Sequence, residues 1–338
     1  MSEPLLIWGA GAIGGILGAY LARAGHAVHM VDIVEDHVNA MRSNGLHIEG
    51  PVETFTQVLP ASTPSELKGQ FSRVILAVKA HHTEAALDML MPHLAPGGYV
   101  VSAQNGLNEI VISERIGAQN TVGCFVNYGA DWLEPGRILY GNRAAVAVGE
   151  LAGPVIDRTR DVHRLLCIVE PEAVLTDNIW GYLWGKLGYG ALLFATALTP
   201  LSMSEAMAHP SHRPVYRELG HEVMCLANAQ GIRPLGFNGF DPDAFLAADR
   251  EGMDASLAAM IEHNRHTAKT HSGIWRDLAV RKRRTEVDAQ VGLLVELGHQ
   301  LGLKVSTLSR LVELIHDIEE GRRTQSVELV DLMVPTCS

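Results

Sequence analysis

The chain reads as an α/β protein: a doubly wound, mostly parallel sheet in its first half is followed by an all-helical second half. Three observations predict this. An apolar run, Leu5-Leu6-Ile7-Trp8, enters Gly9-Ala10-Gly11-Ala12-Ile13-Gly14 and then a helical pattern. In such a strand–turn–helix unit the first glycine makes a tight turn, the second lets a phosphate approach, and the third packs helix on sheet. Further apolar runs at 27–31, 73–78 and 99–102 alternate with helical patterns, as buried parallel strands do. From Asp177 onward the apolar period is helical, with no convincing strand. A length of 338 residues exceeds one ordinary core. Two domains are expected, residues 1–174 and 175–330, with the boundary falling around 170–178.

Composition narrows the partners. With 47 % hydrophobic and 19 % charged residues and no repeat or low-complexity tract, the chain is globular. A net charge of −11 repels phosphate backbones and anionic bilayers, so neither nucleic acid nor a membrane is expected as a partner. The run Arg281-Lys282-Arg283-Arg284 reads as a solvated helix face. Residues 5–22 carry no charge, but five glycines, a preceding Glu3 and the lack of a basic n-region argue against a membrane helix or signal core. Cys124, Cys167, Cys225 and Cys337 form no Cys-x-x-Cys pair, which suits free thiols in a reducing cytoplasm. His263, His266 and His271 could gather a metal, but no carboxylate or cysteine completes the set, and no metal is expected.

The second apolar run ends at Asp32, eighteen positions beyond Gly14. A carboxylate there accepts hydrogen bonds from an adenosine ribose and repels a 2′-phosphate. Glu35 and Asp36 follow, and no Arg or Lys lies between Arg23 and Arg42. NAD is therefore expected rather than NADP. A helix from about His82 to His93, closed by Pro96-Gly97-Gly98, precedes the strand 99–102, and Gln104-Asn105-Gly106 follows at that strand's ligand-binding end. From Thr121 to Val148, Glu134-Pro135-Gly136 and Gly141-Asn142 separate short strands expected to finish the sheet as antiparallel hairpins. A helix near 154–166 closes the first domain. A long helix, N-capped by Asp177, then runs through Trp180, Leu183, Trp184, Leu187, Ala191 and Phe194 until Pro200. Its uncharged stretch from Leu187 to Met203 predicts burial on most sides, and a homodimer is plausible for such a helical domain.

Hydride-transfer chemistry needs a proton donor or acceptor beside the substrate oxygen and groups that orient the substrate. Lys186 is the single charged residue between Asp177 and Glu205. Burial moves a lysine pKa toward neutrality, which suits a general acid/base. The alternative is a lysine that snorkels at the helix edge. Glu286 follows an N-cap-like threonine in Arg284-Thr285-Glu286-Val287-Asp288. Lys79, at a carboxyl strand end, could touch cofactor or substrate, or be solvated.

Gly9-Ala10-Gly11-Ala12-Ile13-Gly14, Val78-Lys79-Ala80, Gln104-Asn105-Gly106, Trp184-Gly185-Lys186-Leu187 and Arg284-Thr285-Glu286-Val287-Asp288, in this order along nearly the whole chain, resemble ketopantoate reductases. The resemblance implies a Rossmann-type N-terminal domain and an all-α C-terminal domain of the 6-phosphogluconate dehydrogenase type, with the active site in the cleft between them. It implies that Lys186 is the catalytic lysine and Glu286 the substrate-binding glutamate. Asn105 and Lys79 would contact cofactor and substrate near the nicotinamide, and the glycine turn with Asp32 would hold the rest of the cofactor. His271-Ser272-Gly273-Ile274-Trp275-Arg276-Asp277 is similar to the family's serine-bearing segment, one residue farther from Glu286. Ser272 is thereby a substrate-binding candidate. His271, Trp275 and Arg276 could line the same pocket, or be a core Trp and a surface Arg.

The chain departs from the family pattern in two respects. Where pantoate-forming relatives usually carry asparagines one and two turns after the lysine, this chain has Gly190 and Phe194, on one face with Lys186. These residues leave the substrate open rather than fixing it as ketopantoate, because a site built to hydrogen-bond hydroxyls discriminates against one lacking those partners. Asp32 stands where many relatives carry a basic residue for NADP. The expected function is an NAD-dependent oxidoreductase moving hydride between nicotinamide and a small 2-oxo or hydroxy acid, branched and sugar-derived acids included. The alternatives are an authentic 2-dehydropantoate 2-reductase of pantothenate synthesis and a non-catalytic NAD-binding regulator. Retention of Lys186 and Glu286 argues against the last.

Overall fold

The structure, a computed structural model, describes residues 3–267 and 270–333, so that Cys337 lies outside the described residues. The chain divides into two compact units, Met1–Ile179 and Trp180–Ser338. In the first, β1 (Leu5–Trp8), α1 (Ala12–Arg23), β2 (Val28–Val31), α2 (Glu35–Ser43), β3 (Leu46–Glu49), β4 (Phe55–Gln57), β5 (Ala61–Ser62), β6 (Phe71–Leu76), α3 (Thr83–Leu90), β7 (Leu94–Ser102) and α4 (Asn108–Ile116) follow one another. They are succeeded by β8 (Thr121–Val126), β9 (Gly129–Glu134), β10 (Arg137–Asn142), β11 (Val146–Glu150), α5 (Asp157–Val169) and β12 (Val174–Leu175).

An eight-stranded sheet has the order β12-β11-β8-β7-β6-β1-β2-β5, and a four-stranded sheet the order β4-β3-β10-β9. From β1 the chain pairs β2 on one side and then β6 on the other, all parallel, which puts the turn after β1 at the point where the strand order reverses. Alternation along β1 explains its uniform burial. Leu5 and Ile7 join a core with Ile16, Leu17 and Tyr20 of α1 and Val162 and Leu166 of α5. Leu6 and Trp8 point the other way, into a core with Ala86, Leu87 and Leu90 of α3 and Ile112 of α4.

Several local expectations are corrected. The helix expected at 82–93 is present as α3 with a 3-10 turn at Met91–His93, but Pro96-Gly97-Gly98 does not close it, since β7 already begins at Leu94. Pairing jumps from Phe71↔Leu94 to Arg73↔Tyr99. Pro96 has no N–H for the ladder and Gly97, at φ +74°, bends the chain outward. The segment 121–148 does not simply add hairpins to one sheet. β8 extends the parallel sheet beside β7, the β9–β10 hairpin leaves to pair β3, and β11 returns antiparallel to β8. The helix expected at 154–166 spans Asp157–Val169, and β12 after it pairs β11.

The second unit holds α6 (Ile179–Thr196), α7 (Met203–Ala208), α8 (Arg213–Ala229), α9 (Pro242–Leu246), α10 (Arg250–Arg265), α11 (Gly273–Ala279), α12 (Leu293–Leu301), α13 (Ser306–Glu319) and α14 (Glu328–Asp331), with a π-turn at Asp288–Gly292 leading into α12. Because α6 starts at Ile179, Asn178 rather than Asp177 stands at its cap position. Backbone approach sets the rotation of α6: Leu235 N–H donates to the Gly181 carbonyl (2.8 Å), and a Cβ at Gly185 would lie 2.0 Å from the Leu235 oxygen. Glu222 of α8 accepts from the Thr307 and Leu308 N–H groups (3.0 and 2.9 Å) and so caps α13. The basic run 281–284 is a loop rather than a helix face, with Lys282 at φ +49°. Buried Asp277 accepts from Arg281 (3.1 Å) and Arg283 (2.8 Å), and these contacts hold the loop. Among the described residues no helix is long and apolar enough to cross a membrane, and no group of three or more His, Cys, Asp or Glu is placed to hold a metal.

Candidate active site

The glycine turn is fastened from four directions. Gly9 N–H donates to the Val31 carbonyl (2.8 Å) and its φ is +97°. Ala10 N–H donates to Asp32 Oδ2 (2.9 Å), while the Ala10 carbonyl accepts from Nε2 of buried His37 (2.8 Å). His37 Nδ1 accepts from Gly136 N–H (2.9 Å), so the ring proton that meets the Ala10 carbonyl is carried on Nε2. The buried hydroxyl of Tyr128, its ionisation pushed well up by desolvation, donates to the Ile13 carbonyl (3.1 Å).

What this turn can hold follows from the space around its glycines. A Cβ at Gly14 would lie 2.0 Å from the Gly9 carbonyl oxygen, so close helix–strand packing demands glycine there. At Gly11 a Cβ would meet nothing within 4 Å. No protein contact among the described residues requires that glycine, and the space in front of it is open. Gly11 is also the N-cap of α1, with no side-chain cap and no acidic residue in the first turn, Ala12 and Ile13 leading it. Free N–H groups at the positive end of a helix attract a phosphate. Asp32 is half-buried, its second oxygen accepting from Val34 N–H (2.9 Å), and Ile33 and Val34 expose apolar surface beside it. The turn, helix start and acidic strand end fit a dinucleotide.

Lys79 and Asn105 follow β6 and β7, adjacent strands whose carboxyl ends lie on the same sheet edge as Gly9 and Asp32. A directional chain of buried hydrogen bonds links the two loops. Gln104 Nε2 donates to the Val78 carbonyl (2.9 Å) and to Thr83 Oγ1 (2.8 Å); that hydroxyl donates to Asn108 Oδ1 (2.8 Å), and Asn108 Nδ2 donates to the Asn105 carbonyl (2.5 Å). Thr83→Val should cost about 1–3 kcal/mol, since it strands a buried donor and a buried acceptor. It should also weaken NADH binding, whereas Thr83→Ser keeps both; thermal melts and an NADH titration of the two variants check this.

In the second unit, Lys186 and Gly190 are half-buried and Phe194 is buried, on successive turns of α6. Thr285, one residue before Glu286, is held by Glu319, which accepts from its N–H and hydroxyl (both 2.7 Å). Its Oγ1 in turn accepts from Val287 N–H (3.2 Å). Glu286 thus leads into the π-turn, a helix irregularity frequent at functional sites. A Cβ at Gly190 would meet Gln290 Oε1, 3.9 Å away, so this segment faces α6. Ser272 is buried and its Oγ accepts from Trp275 N–H (3.1 Å), capping α11. Trp275 Nε1 donates to the Thr199 carbonyl (3.1 Å) just beyond α6, and the His271 ring lies 4.0 Å from the Trp275 ring. Trp275 and Arg276 are both half-buried, neither core nor free surface. His266 pairs with Glu262 (2.7 Å).

Sequence reasoning passed over His37, Thr83, Asn108 and Gln290, and quoted Gln104 only as part of the Gln104-Asn105-Gly106 motif. Only Gln290 left a signal, since it stands one helical turn beyond Glu286 as Gly190 stands one turn beyond Lys186.

Known proteins resemble the chain along most of its length. Residues 5–153 match the family described as Ketopantoate reductase PanE/ApbA, and residues 178–319 match Ketopantoate reductase PanE/ApbA C terminal. A 2-dehydropantoate 2-reductase from Mesorhizobium japonicum is 28 % identical over 345 residues, which cover 94 % of this chain and 98 % of that one. A PanE/ApbA family ketopantoate reductase from Ralstonia eutropha JMP134 has a TM-score of 0.79 at 25 % identity, covering 94 % of this chain and 99 % of that one. A D-mandelate dehydrogenase, solved as a ternary structure with NADH and anilino(oxo)acetate, shares the fold with a TM-score of 0.82 at 21 % identity and the same coverage. With both family segments matched in order over most of its length, this chain belongs to the ketopantoate reductase family of oxidoreductases.

Proposed function

We propose that this protein is an NAD(H)-preferring oxidoreductase that interconverts a small 2-oxo acid and its 2-hydroxy acid, with Lys186 exchanging the proton of the reacting oxygen. The observation that carries the reading is Lys186 itself, the one charged side chain of α6, half-buried beside the space Gly190 leaves open. When bound, the nicotinamide supplies or accepts the hydride. In the first unit, the N-terminal N–H groups of α1 receive the pyrophosphate. Asp32, fixed by two backbone N–H groups, accepts from the ribose hydroxyls and repels a 2′-phosphate. Lys79 and Asn105, locked through Gln104, Thr83 and Asn108, orient the nicotinamide and substrate ends. In the second unit, Lys186 donates a proton as the carbonyl gains hydride, or takes it in the reverse direction. Glu286 and the Ser272 hydroxyl, which still has its own O–H to donate after accepting from Trp275, orient the substrate. The D-mandelate dehydrogenase that shares the fold holds NADH with a 2-oxo carboxylate, which supports this substrate class.

A second reading, 2-dehydropantoate as the substrate, is favoured by the activity in the name of the Mesorhizobium relative. Gly190 and Phe194 weigh against it. The deciding experiment is an assay with NADH and NADPH against a panel of 2-oxo acids that includes 2-dehydropantoate. NADH should exceed NADPH in kcat/KM by about tenfold or more, the order expected for an unneutralised carboxylate facing a phosphate. Tighter binding of NADPH would refute the Asp32 argument; 2-dehydropantoate outrunning every other acid would establish the second reading.

A further inference from the structure

Helix α6 has a gap in its side-chain row. Lys186, Gly190 and Phe194 stand one turn apart, and glycine, which disfavours a helix interior, leaves the middle place without a side chain. A side chain from another segment faces that gap. A Cβ built at Gly190 has one heavy atom outside its immediate surroundings within 4 Å, Oε1 of Gln290, at 3.9 Å. Gln290 N–H donates to the Glu286 carbonyl (3.1 Å), so Gln290 lies one turn past Glu286 and is carried by the π-turn Asp288–Gly292. The wider winding of such a turn re-aims a side chain that an α-helix would direct elsewhere. Its carboxamide is half-buried, and among the described residues no hydrogen bond to it is present. A carboxamide that faces Gly190 and is not engaged by protein among the described residues has both a donor and an acceptor to offer.

We propose that Gln290 is the specificity-determining residue of this site: its carboxamide stands over Gly190 and hydrogen-bonds a hydroxyl of the substrate next to the reacting carbon. The inference rests on the assignment of Lys186 to a 2-oxo acid site. The substrate class is then a 2-oxo acid hydroxylated on the carbon next to the carbonyl, since a hydroxyl there matches an amide as both donor and acceptor, whereas a methyl leaves the amide unpaired.

The experiment compares kcat/KM for two isosteric pairs, 3-hydroxypyruvate with 2-oxobutanoate and 3-hydroxy-2-oxobutanoate with 3-methyl-2-oxobutanoate. The enzymes are the wild type, Gln290→Met, and Gln290→Ala combined with Gly190→Asn, which returns an amide to α6 at a position with room for it. Calorimetric dissociation constants of the same acids with the NADH-loaded proteins give a reading independent of turnover. The wild type should favour the hydroxylated member of at least one pair by about tenfold or more. Gln290→Met should bring the ratio close to unity, and the double variant should restore it. A ratio unchanged in Gln290→Met, in turnover or in binding, overturns the proposal, as does a wild type that prefers the alkyl acids. Failure of the wild type both to bind and to reduce any 2-oxo acid instead overturns the assignment of the site, and this inference with it.

Discussion

Lys186→Ala is expected to lower kcat by about 10²–10⁴-fold, the range lost with a general acid/base, while NADH affinity stays near that of the wild type. The expectation follows from the helix. α6 spans eighteen residues of which Lys186 alone is charged, with buried Leu183, Trp184 and Leu187 around it. No other ionisable side chain of α6 except the tyrosines Tyr182 and Tyr189 could take over proton transfer, and burial holds Tyr189 above its usual pKa with its hydroxyl bonded to Asn264. Lys186→Arg keeps the charge but not the function, because a guanidinium does not release its proton in the working range. A structural lysine would behave differently, with arginine rescuing activity and alanine lowering the melting temperature. Stopped-flow turnover across pH, read together with melting curves, separates the two outcomes; full turnover in the alanine variant would refute the mechanism.

Gly14→Ala and Gly11→Ala should part company. At Gly14 the new Cβ would fall 2.0 Å from the Gly9 carbonyl oxygen, and 3.1 Å from the Ala77 and Ile7 side chains. Neither α1 nor β1 can yield, since Ile16, Leu17 and Ile7 are fully buried and Ala10 is pinned by Asp32 and His37. Overpacking of this kind costs about 1–3 kcal/mol and occasionally more, and it displaces the helix start, so stability and NADH binding fall together. At Gly11 the Cβ meets no described protein atom beyond its own neighbours, and only glycine's N-cap advantage over alanine is lost, about 1 kcal/mol. NADH affinity should nonetheless drop by tenfold or more, because the methyl occupies the approach of the pyrophosphate. Melting temperature against fluorescence titration of NADH gives the test. If Gly11→Ala binds NADH like the wild type, the turn does not hold the dinucleotide as proposed.

Much of the frame was legible because it is written in local pattern. Four consecutive apolar residues before a glycine turn announce a strand buried on both faces, and β1 has that burial. The lone charge on α6 stands out in the sequence because it interrupts 26 otherwise uncharged positions from 178 to 204. Where pattern misled, a turn residue was judged by type alone. Pro96-Gly97-Gly98 promised a helix end, yet the chain absorbs them as an irregularity in β7. The basic run promised a helix face until Asp277, four residues upstream of Arg281, drew it into a loop.

By itself, then, the sequence determined the parallel sheet, the glycine turn with its acidic strand end, and the position of Lys186 and Glu286 along the chain. All of these rest on the period with which side chains meet water or core, and on residue types whose chemistry is local. Only the tertiary structure decided what stands beside them. His37 reaches Ala10 from 27 positions away, Thr83 and Asn108 join across 25, and Gln290 faces Gly190 across one hundred. Such pairings depend on how helices and strands seat against one another, and a side chain's partner across that distance leaves no period in the sequence to read.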